Sequence, residues 1–181
     1  MRRIYWLLLW LISGGAFAQW EGWDYTFDRE IKPWKELEAQ LPAYPAEAQL
    51  LEFYVSPTTP HKFYVDAKSV SVGTDGIVRY TLVIRTAGGA RNVSFEGIKC
   101  ESREQKYYAI GQADKSWTRA RNPHWRSILF RDPNSQHATL FTDYFCNGKV
   151  TAGTAGEITD ALRSGNPLVE RGYGRSGGAD A

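Results

Sequence analysis

Between Lys115 and Arg131 five cations, Lys115, Arg119, Arg121, Arg126 and Arg131, are interleaved with two tryptophans, Trp117 and Trp125. A guanidinium presents paired N–H donors that match the two oxygens of a carboxylate or phosphate, and an indole offers a flat stacking face. This segment is the candidate ligand site, with Trp117, Arg119, Arg121, Trp125 and Arg126 as its binding residues. The expected ligand is an anionic glycan, a lipid head group or an acidic segment of a partner protein. A structural reading competes with it: the tryptophans plug the sheet while the arginines pair with acids from the N-terminal part of the chain.

Other chemistry is thinly represented. Cys100 and Cys146 are the only cysteines. In an oxidising compartment such a pair forms a disulfide. It would close a loop of about 47 residues, for a gain on the order of 4 kcal/mol in the chain-entropy account. The alternative is two free thiols acting as a redox pair, although the close Cys-x-x-Cys spacing of an exchanging pair is absent. His61, His124 and His137 are far apart in sequence, with no second ligand at metal spacing, so no metal is expected. Asp66 follows a strand and precedes Lys68 and Ser69, where capping a turn is its expected role. No nucleophile elbow, phosphate-binding glycine loop or helical zinc pair occurs. Gly73-Thr74-Asp75-Gly76 and Gly88-Gly89 are hairpin turns, because neither leads into a helix. No catalytic residue and no cofactor is therefore assigned. An enzyme acting on an envelope polymer would have to gather Asp66, Tyr107, Asp143 or a histidine into one cleft.

The compartment comes from the first residues. Met1-Arg2-Arg3 is basic, Ile4 to Ile12 is apolar throughout, and Ala16-Phe17-Ala18 puts small residues where a signal peptidase reads. This predicts a signal peptide over 1–18, cleaved after Ala18, and a periplasmic protein. The apolar run is far short of the roughly 20 residues of a membrane span. No later stretch is long enough either, and the expected compartment disfavours nucleic acid as a partner. Loss of Arg2 and Arg3 takes the 22 basic residues to 20, against 20 acidic. Residues 19–60 hold 8 acidic and 3 basic side chains, whereas 61–181 hold 12 and 17, so the two parts are of opposite sign.

The elements that would position these groups follow from periodicity and turn chemistry. Residues 19–60 read as an acidic, aromatic N-terminal segment, with a short helix opened by Pro33 and striped by Trp34, Leu37 and Leu41. Leu50 to Val55 reads as a strand. In the next strands, Phe63 to Val65 and Val78 to Arg85, Val78, Tyr80, Leu82 and Ile84 share one face, opposite Arg79, Thr81 and Arg85. Asp75-Gly76 marks the hairpin before the second of them. Val93 and Phe95 keep one parity while Ile98 and Cys100 take the other, which predicts a bulge at Gly97. Gln105 to Gly111 is one more strand, 112–136 is irregular, and 135–146 carries a short helical stripe. Thr154 with Glu157 three residues on predicts a capped helix ended by Gly165. The sum is an α+β fold: a twisted antiparallel meander of about five or six strands with one or two helices on one face. It spans 50–165 as a single domain, with a flexible Gly-rich tail over 166–181.

Residues 63–101 (FYVDAKSVSVGTDGIVRYTLVIRTAGGARNVSFEGIKCE), 113–128 (ADKSWTRARNPHWRSI) and 142–146 (TDYFC) together resemble the cryptic neisserial protein-like family. The resemblance covers roughly 50–165. It implies a small exported envelope protein and no activity. The lipid-bearing cysteine of some members is absent. More loosely, the order of Tyr-Val-Asp, hairpin, strand ending in cysteine, Trp loop and second cysteine is similar to surface-adhesin protein E. That likeness implies a twisted antiparallel sheet with a helix on its concave face, and Cys100 at a strand end tied to Cys146 in or beside that helix. Composition, motifs and resemblance converge on a non-enzymatic envelope protein that binds an anionic component or a partner protein; an enzyme or an assembly factor is the alternative.

Overall fold

In the computed structural model residues 33–130 and 135–169 are described. The predicted signal peptide, Arg131 and the tail beyond residue 169 lie outside the described residues. The described residues from Trp34 onward form one compact unit. Its centre is the hairpin of β4 (Ile77–Arg85) and β5 (Arg91–Lys99), paired antiparallel along their whole length. Around it lie β1 (Leu50–Phe53), β2 (Lys62–Asp66), β3 (Ser71–Val72), β6 (Glu104–Gly111), β7 (Trp117–Arg119) and β8 (Arg126–Ser127). The order is β1-β2-β4-β5-β6-β7, with β3 added to β4 and β8 to β6. The eight strands exceed the expected five or six because β3, β7 and β8, of two or three residues, are too short to carry a periodic signal. The hairpin turns fall where Asp-Gly and Gly-Gly stand, Gly76 and Gly89 taking φ of 75° and 83°, a region open to glycine at no steric cost.

Both faces of this sheet are buried, and that reorders the reading of β5. On one face Phe63, Val65, Val78, Tyr80, Leu82 and Ile98 meet the helices. On the other, Tyr64, Val83, Val93, Phe95, Tyr108 and Ala109 form a second apolar layer. Val93 and Phe95 thus face one way and Ile98 the other by ordinary alternation, and no bulge resets β5 at Gly97. The register shift lies between Phe95 and Glu96, which pair with Ala109 and Tyr107, so the extra residue is Tyr108 in β6. Gly97 has a different duty: a Cβ there would stand 2.9 Å from the Tyr108 ring.

The second layer is roofed by residues 34–46, which run across it without helix. The stripe Trp34, Leu37, Leu41 is therefore no helix. A segment this short, bounded by prolines, gains little from internal hydrogen bonds. The sheet offers it better partners: Leu37 N–H donates to Asp75 Oδ2 (2.9 Å) and its carbonyl accepts from Arg79 Nη2 (2.9 Å). Trp117 Nε1 donates to the Pro42 carbonyl (2.9 Å).

The first layer is closed by α1 (Gln136–Thr139), which widens into a π-helical stretch (Leu140–Phe145), and by α2 (Ala155–Ser164). Thr154 and Glu157 form the expected capping box, and Gly165 (φ 69°) ends α2. Between the helices lies a small hairpin of β9 (Cys146–Asn147) and β10 (Val150–Thr151). Cys146, just after the π-helical stretch, is bonded to Cys100 at the end of β5, with Cα atoms 5.5 Å apart. Among the described residues no helix is long and apolar enough to cross a membrane.

Candidate functional site

The cationic segment is tied at both ends to one strand. β7 pairs with the end of β6 and β8 with its start, so residues 120–125 arch along the sheet edge. Ala120 N–H bonds the Tyr108 carbonyl (2.9 Å) and Ile128 N–H the Arg103 carbonyl (3.0 Å), holding the arch at both feet.

This arrangement divides the expected binding residues between the two faces. Trp117 lies under the 34–46 segment, 5.6 Å from the Tyr44 ring and 6.3 Å from Phe95. Trp125 donates from Nε1 to Glu36 Oε2 (3.2 Å), and Lys106 Nζ stands 5.5 Å from its ring. Arg119 is exposed on the same side, lining a shallow pocket with Glu36, Lys106 and Pro123. Arg121 and Arg126, both exposed, line a pocket of about 340 Å³ on the other side, with Asn122, His124 and Tyr107. Arg126 Nε donates to His124 Nε2 (2.9 Å), so His124 carries its ring proton on Nδ1, facing the Asn122 carbonyl. None of Arg119, Arg121 and Arg126 is in an ion pair among the described residues. Lys115 is exposed in the turn before β7, with φ 67°.

The structural reading holds in part, with other cations. Both indoles serve the fold, yet the acids of the N-terminal segment pair with Lys106, Arg85 and Arg91. Glu36 accepts from Lys106 Nζ (2.9 Å), Tyr108 OH (2.8 Å) and Trp125. Burial alone would raise the Glu36 carboxyl, but these bonds outweigh it and hold it below the usual carboxylate range. Glu47 pairs with Arg85 and Arg91. Asp75 and Arg79 form a buried pair (2.6 Å), and there too the bonds override desolvation and lower the Asp75 carboxyl.

The pocket by Arg121 has a polar foundation. Glu96 is fully buried and accepts from Tyr80 OH (2.9 Å), Ser94 Oγ and His137 Nε2 (2.7 Å). The Tyr107 ring meets His137 edge-on at 6.0 Å. The Glu96 charge first, then burial, push the Tyr107 hydroxyl well above its ordinary value, so it stays protonated as a donor. Glu96 itself is sealed from solvent and its oxygens are engaged. It supports the pocket floor and cannot reach a substrate.

The other groups considered for catalysis stand apart. Asp66 is the buried last residue of β2, where its carbonyl accepts from the Ser69 hydroxyl (2.8 Å) across the following turn; burial pushes its carboxyl up, against opposing bonds from Ser69 and Lys68. Asp143 is buried in the π-helical stretch, accepting from Thr142 Oγ1 (2.8 Å). Asp66 lines a groove beside Pro42 and Gln49, away from the Tyr107 pocket. Among the described residues no group of three His, Cys, Asp or Glu could hold a metal ion. Glu36, Glu96 and Lys106 went unremarked in the sequence. The signal for Glu96 was present: it falls between Ser94 and Ile98 on the core-facing parity of β5, where a carboxylate must be satisfied or excluded.

The CNP1-like family matches residues 29–163. The chain is 29% identical over 186 residues to Cryptic neisserial protein 1 of Neisseria gonorrhoeae (strain ATCC 700825 / FA 1090), an alignment covering 87% of this chain and 91% of that one. No solved structure matches.

Proposed function

We propose, from the premise that this chain belongs to the CNP1-like family, that it is an exported, non-enzymatic protein of the cell envelope that binds an anionic component through the Arg121–Arg126 edge. One observation carries this reading: exposed arginines without a carboxylate partner among the described residues line a pocket that they share with Tyr107. Arg121, Arg126 and Tyr107 line that pocket together, a donor set suited to phosphate or carboxylate oxygens. The basic and apolar N-terminus supports export, and the Cys100–Cys146 bond suits an oxidising compartment. Because Trp117 and Trp125 are held by the fold and Arg119 lines the shallow pocket on the opposite side, the binding residues narrow to Arg121 and Arg126.

The experiment is co-sedimentation of the oxidised protein with isolated sacculi and with outer-membrane vesicles, at low and high salt. Salt-sensitive pelleting with either, lost in R121A/R126A while the circular dichroism spectrum is unchanged, supports the reading. Absence of pelleting with both, or full retention in the double variant, refutes it.

A further inference from the structure

The residues following the arginines add an apolar component. Ile128 is buried and fixed by its N–H bond to the Arg103 carbonyl, yet Leu129 is 70% exposed and Phe130 45% exposed. Phe130 rests edge-on against Phe141 (5.8 Å), so the tip is braced on the π-helical stretch. Arg103, exposed and at φ 57°, forms the adjoining β5–β6 turn. Through Cys100 the same turn is linked to the β9–β10 hairpin, where Val150 is 65% exposed. The edge that carries Leu129 and Phe130, which follow Arg126 in the chain and are bonded through Ile128 to the Arg103 turn, thus presents exposed apolar side chains beside cations.

We infer that this edge docks onto an anionic phospholipid surface, with Leu129 and Phe130 entering the headgroup–acyl boundary while Arg103, Arg121 and Arg126 hold lipid phosphates. This rests on the anion-binding reading above and names its ligand. Separate protruding side chains suit a fluid interface, whereas a protein partner is met by a contiguous apolar patch. Cations close to an anionic leaflet each add a modest attraction, and a small apolar insertion alone is equally marginal, so stable docking needs both signals. The chain without residues 1–18 balances 20 acidic against 20 basic residues, so the attraction is local to this edge. Two acids flank Arg103: Glu101 stands by Lys99 (3.9 Å), and Glu104, which accepts from the Ser102 hydroxyl (2.6 Å), keeps its charge and is outnumbered by Arg103, Arg121 and Arg126.

The test is sedimentation of the oxidised protein with protein-free vesicles of phosphatidylglycerol and phosphatidylethanolamine, against vesicles of phosphatidylcholine alone. Salt-sensitive binding to the anionic vesicles only is expected. L129S should weaken it about tenfold, since the site is a largely exposed leucine whose loss does not disturb the core. L129W should strengthen binding and shift tryptophan emission to the blue. Equal partition of wild type and L129S, or no binding to anionic lipid, overturns the inference. If pure lipid fails while arginine-dependent pelleting with sacculi persists, the membrane falls and anion binding stands. If every surface fails, both fall.

Discussion

Glu36 joins three elements through one carboxylate, accepting from Lys106 and Tyr108 of β6 and from Trp125 of the arch. Hydrogen bonds to a charged group contribute about 1.5–3 kcal/mol, and loss of the charge leaves Lys106 half-buried beside a neutral amide. E36Q should accordingly lower the urea midpoint by an amount corresponding to about 2 kcal/mol. Its pH signature is specific. The Glu36 and Asp75 carboxyls are lowered on folding, so their stabilisation is complete above the unfolded carboxylate range near pH 4 and is lost as pH falls through the folded values. Unfolding midpoints measured from neutral pH into the acid should fall more steeply in wild type than in E36Q. Parallel acid limbs would show that Glu36 does not titrate with folding.

Among the elements, α2 and the disulfide were legible and the N-terminal cover was not. The capping box and Gly165 were visible because their chemistry is local, fixed by Thr154 and Glu157 three residues apart. T154A should cost about 1 kcal/mol, read as a reduced Tm with an unchanged spectrum at low temperature. The bond between Cys100 and Cys146 was legible because two cysteines allow one pairing. Residues 34–46 misled because a stripe of Trp34, Leu37 and Leu41 is also what an extended segment shows when it drops occasional side chains toward a sheet. What decides its conformation is the bonding of the Leu37 peptide to Asp75 and Arg79, some 40 residues away, which no local pattern records. The parities within β5 misled for a related reason. Alternation read with one buried face demands a bulge, and alternation with two does not. The candidate arginines were legible as a type and spacing, but their division across the sheet edge follows from how β7 and β8 pair with β6, which is tertiary information.

At the scale of the whole molecule, the uneven charge of the chain is used internally. Acids of the 34–47 segment lie against cations of β4, β5 and β6, which leaves Arg103, Arg119, Arg121 and Arg126 exposed and outside those pairs. The segment also covers Val83, Val93, Phe95 and Ala109, all at most 3% exposed, so it serves as the second wall of the core. Removing residues 19–44 should therefore do more than delete an acidic arm. It uncovers the apolar face of the central strands, strips Lys106 of Glu36 and takes the Leu37 carbonyl from Arg79, which keeps Asp75. The truncated chain should bind a hydrophobic dye and elute as oligomers in size exclusion, while the face under the helices keeps its disulfide. If the truncated protein stays monomeric, dye-silent and as stable as the full chain, the segment is dispensable and the sheet has one essential core face. If it oligomerises, the fold requires a cover on both faces, and the surplus of cations at the edge is what remains for a ligand.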